Sequence, residues 1–182
     1  MKKIILIAGP SGAGKTTISD YLDKQFNIPR VITHTTRPMR NGEIDGKSYF
    51  FETNDSFSKL HFFEHVHYGD YQYGSSRETL EKMWQDHDIV SLIVDIKGVE
   101  SYLDQLGDQC YFLYVTTATK DELRKRLIER GDSVESVQKR LSGEELNELS
   151  YDLEPYAHLL FNDNWADTSN NLAQIVSKIR EN

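Results

Sequence analysis

The stretch that decides the fold is Lys3–Thr16, which reads KIILIAGPSGAGKT. Its first half is an apolar, β-branched run of strand length, and its second half matches the pattern G-x-x-x-x-G-K-S/T. A helix-like spacing of apolar residues follows as far as Phe26. Strand, loop and helix therefore stand in the order that a phosphate-binding P-loop requires, and a chance glycine-rich turn would not need these flanking elements.

Each residue type in this loop has a physical task. Gly9, Gly12 and Gly14 would allow positive φ and a close approach of backbone N–H groups to phosphate oxygens. Lys15 would add a positive charge near the β- and γ-phosphates, and the Thr16 hydroxyl would be a ligand of Mg²⁺. The other residues that we expect at ATP in this segment are Ser11, Ala13 and Thr17. A dinucleotide-binding loop is disfavoured because it would need glycine at position 17.

Composition narrows the class of protein. The 182 residues, 38% of them hydrophobic, are enough for one domain with a sizeable core. A net charge of −8 argues against nucleic-acid binding, which needs a basic face. No run is long enough for a membrane span and no signal-peptide pattern begins the chain, so we expect a cytoplasmic protein. The single cysteine, Cys110, lies in an apolar run and is expected to be a buried, inert thiol.

Strand-like and helix-like segments alternate along the chain. The pattern predicts strands over 30–33, 62–68, 88–94 and 110–115, and a terminal helix with apolar residues between 172 and 179. Two further helices are predicted to begin at Ser75-x-x-Glu78 and at Thr119-x-x-Glu122, which have the form of capping boxes. This alternation predicts an α/β fold with a mainly parallel sheet.

The polar segment His34–Tyr49, HTTRPMRNGEIDGKSY, resembles the second motif of the guanylate kinases, roughly T-T-R-x-P-R-x-G-E-x-D/N-G-x-x-Y. The resemblance continues, in the family's order and near its spacing, through FFEH at 62–65, YGS at 73–75, IVDIKG at 93–98, RLIERG at 126–131, KRL at 139–141 and ND at 162–163. It covers almost the whole chain.

The resemblance implies a P-loop kinase with three parts. These are a core sheet over 1–29, 88–130 and 150–182, a small GMP-binding insertion over 30–87 and a helical lid over 131–149. The implied reaction is transfer of the γ-phosphoryl group of ATP to GMP, and to dGMP, with Mg²⁺. The acceptor oxygen is already ionised, so alignment and charge neutralisation carry the catalysis.

The resemblance also implies the acceptor site. The GMP phosphate would be held by two arginines, whose forked guanidinium groups suit phosphate, and by two tyrosines: Arg37, Arg40, Tyr49 and Tyr73. Glu64 and Asp95 would accept the two adjacent guanine donors, N1–H and the 2-amino group, where adenine offers an acceptor instead. The hydroxyl groups of Thr33 and Ser75 would reach the other polar atoms of the base.

The remaining implied residues act on the transferring phosphoryl group and on ATP. The catalytic set is Lys15, Arg37, Arg130 and Arg140, of which the last two belong to the lid. Arg126 and Asn162 would complete the ATP site.

Four departures from the family pattern keep alternatives open. Pro38 stands one place early, Gln72 replaces a common aromatic residue, Ile93 replaces the first carboxylate of the family's D-x-D, and the lid is about one residue short. A related kinase with another acceptor, such as ribose 1,5-bisphosphate, and a catalytically silent guanylate-kinase-like binding domain are therefore alternatives. His61, His65 and His67 raise a third alternative, a zinc site. The sequence leaves open whether the chain is a monomer or a homodimer.

Overall fold

A computed structural model describes residues 2–142 and 147–181. The elements in these residues, in chain order, are β1 (Lys3–Ala8), α1 (Lys15–Phe26), β2 (His34–Thr35), β3 (Phe50–Phe51), α2 (Asn54–Phe57), β4 (Phe62–Tyr68), β5 (Tyr71–Ser76), α3 (Arg77–Asp86), β6 (Ile89–Ile93), α4 (Ile96–Leu106), β7 (Cys110–Thr116), α5 (Lys120–Glu129), α6 (Val134–Arg140), β8 (Ala157–Phe161) and α7 (Trp165–Glu181). Among them we find no helix with the length and apolar character needed to span a bilayer.

The centre of the molecule is a four-stranded sheet in the order β6-β1-β7-β8, and all of its pairings are parallel. Successive side chains of β1 point to opposite faces. Ile4 and Leu6 pack in the core cluster that includes residues of α3 and α4, whereas Ile5 and Ile7 pack with residues of α1 and α7. A strand buried on both faces is apolar throughout, which explains the opening run of the sequence. The predicted α/β fold with a mainly parallel sheet is confirmed.

A second, smaller sheet lies between α1 and β6 in the chain, in the order β3-β2-β5-β4. Its β4 and β5 form an antiparallel hairpin in which Glu64 lies opposite Ser75. The buried ring of His34 in β2 connects neighbouring strands of this sheet, because Nδ1 lies 2.9 Å from Oε1 of Glu52, which follows β3, and Nε2 lies 2.9 Å from Oγ of Ser76 in β5. This sheet lies within the predicted insertion, although the boundaries at 30 and 87, like those of the lid, stay a prediction.

Two local predictions are wrong. The stretch 30–33 is not a strand: Arg30 forms an isolated bridge to Ser91, and the pairing of β2 begins only at His34. The cap of α3 is Ser76 and not Ser75, because the Ser76 side chain accepts a hydrogen bond from the backbone N–H of Thr79. Ser75 is paired across the hairpin with Glu64 instead.

Other predicted elements are confirmed. The predicted strand 62–68 coincides with β4, and the predicted strands 88–94 and 110–115 correspond to β6 and β7. Thr119 caps α5, where its side chain accepts a hydrogen bond of 3.3 Å from the backbone N–H of Glu122. The predicted terminal helix is the carboxyl half of α7.

The candidate site residues gather at one edge of the central sheet. The P-loop follows β1, Asp95 follows β6, and Asn162 follows β8 directly. Because these strands are parallel, their carboxyl ends meet at the same edge, which is where ligands bind in open α/β sheets.

Candidate active site

The P-loop has the positive-φ backbone that its glycines predict. Gly9, Gly12 and Gly14 adopt φ values of 137°, 86° and 93°. A Cβ on Gly9 would lie 1.9 Å from the carbonyl oxygen of Val115, so a side chain cannot be accommodated there. The loop therefore holds the backbone close to β7 before α1 begins at Lys15. Of the other predicted ATP residues in this segment, Ala13 is buried, Ser11 is half-buried, and Thr16 and Thr17 are exposed in the first turn of α1.

Lys15 folds over the loop. Its Nζ donates hydrogen bonds of 2.7 Å to the carbonyl oxygen of Gly9 and 2.8 Å to that of Pro10. Burial, together with the positive charge of Arg130, lowers the pKa of Lys15 to about 8. The ammonium group is thus desolvated and lies near a second cation, an arrangement that an incoming polyphosphate would relieve.

The Asn162 side chain contacts the backbone of the P-loop. Its Nδ2 donates a hydrogen bond of 2.8 Å to the carbonyl oxygen of Ala13, and its Oδ1 accepts one of 3.0 Å from the Thr168 hydroxyl. Arg126 donates from Nη2 to the Asn162 carbonyl oxygen at 2.8 Å and from Nε to Glu122 at 2.9 Å. Both predicted ATP residues therefore lie beside the P-loop, and the Asn162 side chain is engaged with its backbone.

The two arginines predicted to act from the lid lie beside one carboxylate. Arg130 donates from Nε and Nη2 to Asp132, and Nε of Arg140 lies 3.7 Å from the same carboxylate. The hydrogen bonds from Arg130 hold the pKa of Asp132 below its usual range. Arg130 belongs to the turn after α5 and Arg140 ends α6, so Asp132 draws together two cations from different elements.

Arg37 is a buried cation with a dedicated partner. Its side chain is 6% exposed, and it donates from Nη1 and Nη2 to the two carboxylate oxygens of Glu43 at 3.0 and 2.7 Å. These bonds raise the pKa of Arg37 and lower that of Glu43. The guanidinium carbon lies 5.6 Å from the ring centroid of Tyr49, whose ring is 6.0 Å from that of Tyr73. Three of the four predicted phosphate ligands are thus assembled.

The early proline does not displace this cluster. Nη1 of Arg37 also donates a hydrogen bond of 2.7 Å to the carbonyl oxygen of Pro38. Arg40, the fourth predicted phosphate ligand, has an exposed side chain, and its backbone N–H donates to Glu43 at 2.7 Å. Glu43 therefore fixes the loop that carries both arginines.

The predicted base-reading residues lie together. Ser75 is fully buried, and its hydroxyl donates a hydrogen bond of 3.3 Å to Oε1 of Glu64. Burial, reinforced by the negative charge of Asp95, raises the pKa of Glu64 to about 7. Asp95 caps α4 by accepting a hydrogen bond of 2.7 Å from the backbone N–H of Gly98. Two carboxylates and a hydroxyl thus face one region, whereas Thr33, the other predicted hydroxyl, is half-buried just before β2.

A cavity of about 970 Å³ lies beside the P-loop and Asp95. Its lining includes Ser11 of the P-loop, Asp95 at the start of α4 and Arg140 at the end of α6. The side of the cavity toward the second sheet is formed by the end of β4, including His67. The cavity is large enough for a nucleotide, since small-molecule sites have volumes of roughly 300–1,000 Å³.

The histidines do not form a metal centre. Nδ1 of His61 lies 2.6 Å from Glu78, and the ring of His65 packs against the rings of Phe57 and His67. Within 2–142 and 147–181 we find no group of three or more histidine, cysteine, aspartate or glutamate residues suited to a metal ion. Cys110 is half-buried and not fully buried as the sequence predicts, because it begins β7 at the end of the sheet. Burial still raises the pKa of its thiol to about 12, which agrees with an inert thiol.

Sequence reasoning missed three residues with evident roles in this geometry. The motif at 34–49 contains Glu43 but assigns no role to it, although Glu43 holds Arg37. Asp132 follows the predicted lid arginine Arg130 by two positions, so its proximity was available from the sequence. Tyr102 lies four residues after Gly98 on α4 and faces Ser75 and Glu64; nothing in the local sequence signals this contact.

Comparisons with known proteins agree with the geometry. A family model described as Guanylate kinase matches residues 1–179. Guanylate kinase of Alkalilimnicola ehrlichii is 32% identical over 182 aligned positions, which cover 97% of this chain and 89% of that protein. Guanylate kinase of Campylobacter jejuni strain RM1221 is 34% identical, with 88% of this chain and 80% of that protein covered.

A solved structure agrees on the fold. The crystal structure of guanylate kinase from Anaplasma phagocytophilum superposes with a TM-score of 0.68 at 20% identity, covering 97% of this chain and 85% of that one. The family match extends over nearly the whole chain, and the P-loop, the Arg37 cluster and the Glu64–Ser75 pair lie within it. The chain therefore belongs to the guanylate kinase family, whose enzymes are nucleoside monophosphate kinases.

Proposed function

We propose that this chain transfers the γ-phosphoryl group of ATP to GMP, and to dGMP, giving ADP and GDP or dGDP. The observation that carries the proposal is the buried Glu64–Ser75 pair beside Asp95, in the same molecule as an intact P-loop. Family membership supports this reaction, and none of the comparisons favours another acceptor or a silent binding domain.

The base is recognised by charge and hydrogen bonding. Glu64 accepts from N1–H and the 2-amino group of guanine with the help of Asp95, and Ser75 and Thr33 donate to its acceptors. Adenine would place an unprotonated nitrogen against Glu64 and leave a buried carboxylate unpaired. Because a site built around buried polar groups rejects a base that cannot pair with them, we expect strong preference for guanine.

The acceptor phosphate binds to the Arg37 cluster. Arg37, Arg40, Tyr49 and Tyr73 supply two fixed charges and two hydroxyl groups, which suits a phosphate that carries close to two negative charges. The bidentate pair with Glu43 supports this role, because it holds the Arg37 guanidinium in one orientation before the ligand arrives.

ATP binds at the P-loop. The backbone of Gly9–Gly14 surrounds its phosphates, Lys15 bridges the β- and γ-phosphates, and Thr17, Arg126 and Asn162 complete the site. Arg130 and Arg140 leave Asp132 for the transferring group as the lid closes, and closure excludes water and suppresses ATP hydrolysis. These residues align the two nucleotides and neutralise charge that spreads over the phosphoryl oxygens in the transition state.

Mg²⁺ fits the donor set. Thr16 offers an exposed hydroxyl in the first turn of α1, whereas Ile93 offers no ligand where the family has its first carboxylate. Mg²⁺ needs few protein ligands, since it keeps several waters and binds substrate phosphates. When bound with ATP it would neutralise phosphate charge, held on the protein side by Thr16.

The three-part division of the chain and a cytoplasmic location also remain predictions. Limited proteolysis would test the first through cleavage near 30, 87, 131 and 149, and fractionation of cells would test the second. The mass of the protein in solution decides between monomer and homodimer.

The function is tested by ADP release coupled to an indicator reaction, with ATP, Mg²⁺ and each of GMP, dGMP, AMP, UMP and ribose 1,5-bisphosphate. We expect turnover with GMP and dGMP, and a fall of about a hundredfold or more in kcat for Lys15→Ala, because it removes the cation at the transferring phosphates. Equal turnover of AMP, or no turnover of any monophosphate by a protein that binds ATP, would contradict the proposal.

A further inference from the structure

Tyr102 has a buried hydroxyl group without a partner. The side chain is 0% exposed, and its hydroxyl oxygen has no hydrogen bond to any atom in the described part of the chain. A buried hydroxyl of this kind costs free energy, so it is retained only where something compensates for it. The Ser75 side chain and the Glu64 carboxylate are among the polar groups close enough to influence the pKa of this hydroxyl.

The position of Tyr102 is fixed by packing. Gly98 and Tyr102 are four residues apart on α4 and therefore lie on one face of the helix. A Cβ on Gly98 would lie 3.4 Å from Cγ of Glu64, which shows how closely this face approaches β4. The Tyr102 ring stacks on Phe63 with centroids 4.5 Å apart. This aromatic contact fixes the Tyr102 ring on the face of α4 that packs against β4, the strand that carries Glu64.

A count of the hydrogen-bond donors and acceptors around guanine gives the Tyr102 hydroxyl a role. A serine hydroxyl has one proton to donate and two lone pairs to accept with. Without a ligand, Ser75 gives its proton to Glu64 at 3.3 Å. Guanine needs both of the carboxylate's acceptor positions for N1–H and the 2-amino group, and its O6 is an acceptor that needs a donor. Ser75 can serve O6 only if its proton turns from Glu64 to the base.

We propose that Tyr102 is a positioning residue for guanine recognition: when GMP binds, its hydroxyl donates to Oγ of Ser75, and Ser75 then donates its own proton to guanine O6. This inference rests on the proposed function and deepens it. In the unliganded protein the Tyr102 hydroxyl makes no hydrogen bond to Ser75. The bond forms as the Ser75 hydroxyl turns toward the base, so it contributes to GMP binding and not to the stability of the unliganded protein.

Opposite effects of one substitution test the relay. Tyr102→Phe removes the hydroxyl and keeps the ring on Phe63. We expect KM for GMP to rise about three- to tenfold, the value of one hydrogen bond, with kcat and KM for ATP unchanged. The melting temperature of the unliganded variant is expected to equal or exceed that of the wild type, because an unpaired buried hydroxyl is lost. A purely structural role would instead lower the melting temperature.

A double-mutant cycle with Ser75→Ala isolates the proposed bond. In the Ser75→Ala background Tyr102→Phe should no longer change KM for GMP, whereas independent effects would add. Tyr111→Phe is the matched control: this tyrosine stacks on His158 at a centroid distance of 4.1 Å, at the opposite edge of the sheet, and its substitution should leave KM unchanged.

The outcomes separate the two proposals. An unchanged KM for Tyr102→Phe, or an equal rise in KM with and without Ser75, in a wild-type background that phosphorylates GMP overturns the Tyr102 relay alone. Absence of GMP phosphorylation by the wild-type chain overturns the proposed function, and the relay with it.

Discussion

The side-chain amide of Asn162 donates a hydrogen bond of 2.8 Å to the carbonyl oxygen of Ala13, 149 residues earlier in the chain. A Cβ on the neighbouring Gly14 would lie 2.3 Å from the same amide nitrogen. The end of β8 therefore shapes the P-loop directly. ATP binding should depend on this contact, because the Asn162 side chain holds the backbone of the P-loop in place.

Replacing Asn162 tests that dependence. We expect Asn162→Ala to lower the free energy of unfolding by about 1–2 kcal/mol, because the buried Ala13 carbonyl and Thr168 hydroxyl lose a partner. Small displacements of catalytic loops are costly, so KM for ATP should rise roughly tenfold. Urea unfolding and steady-state kinetics measure the two effects.

The control for Asn162→Ala is Asn164→Ala. The Asn164 side chain accepts a hydrogen bond of 2.8 Å from the backbone N–H of Ala166 at the start of α7. Its loss should cost about 1 kcal/mol of stability, as for other helix caps, while leaving KM for ATP unchanged. An equal rise of KM in both variants would show that lost stability, and not the P-loop contact, affects ATP binding.

The lowered pKa of Lys15 predicts a pH dependence of ATP binding. Since the pKa of Lys15 in the unliganded protein is about 8, the ammonium group loses its proton as pH rises through that value. Phosphate binds the charged form, so KM for ATP should rise between about pH 7 and pH 9. In Lys15→Arg the guanidinium group keeps its charge in this range, and KM should stay flat whatever its absolute value. A flat wild-type profile would contradict the assignment.

The raised pKa of Glu64 predicts that KM for GMP changes with pH in the direction opposite to KM for ATP. Its pKa of about 7 means that the carboxyl group is partly protonated near neutrality, and only the ionised form accepts both guanine donors. KM for GMP should therefore fall as pH rises from about 6 to 8. Ionisation of the GMP phosphate, with a second pKa of about 6, adds a step of its own. Glu64→Gln should keep that step and lose the one near 7; identical profiles would refute the role of Glu64.

Glu43 is expected to strengthen GMP binding without contacting GMP itself. Glu43→Gln leaves one acceptor oxygen for the buried Arg37 guanidinium and removes the charge that orients it. We expect KM for GMP to rise roughly tenfold, because the charge-assisted pair is among the stronger hydrogen bonds. Glu81→Gln, at an exposed position of α3, is the control and should leave KM unchanged. Isothermal titration with GMP would show the same ratio in Kd, and an unchanged Kd would contradict the positioning role.

The sequence predicts the parts of the fold that depend on local chemistry. The P-loop is recognisable because positive φ requires glycine, and β1 because a strand buried on both faces must be apolar. The cap of α5 is readable for the same reason, because the Thr119 side chain accepts a hydrogen bond from the backbone N–H of Glu122, only three residues later. Such features need no knowledge of distant residues.

The sequence-based predictions fail or miss a residue where the structure depends on contacts between residues that are far apart in the chain. Ser75 and Ser76 both suit a helix cap, and only the pairing of Ser75 with Glu64 assigns the cap to Ser76. The β-branched run at 30–33 has strand propensity, but its backbone pairs with Ser91 only around Arg30 and Val31. The contact of Tyr102 with the Glu64–Ser75 pair depends on the packing of α4 over β4, which no local pattern encodes.

Competition between acceptors in one reaction shows whether the chain selects guanine. ATP labelled in its γ-phosphate is incubated with Mg²⁺, the wild-type chain and an equimolar mixture of GMP, AMP, UMP and ribose 1,5-bisphosphate, and the labelled products are separated. Because all acceptors compete in one tube, the distribution of label reports the ratio of their kcat/KM values. We expect the label to enter GDP almost exclusively. Label in another acceptor, or only in inorganic phosphate, would contradict it.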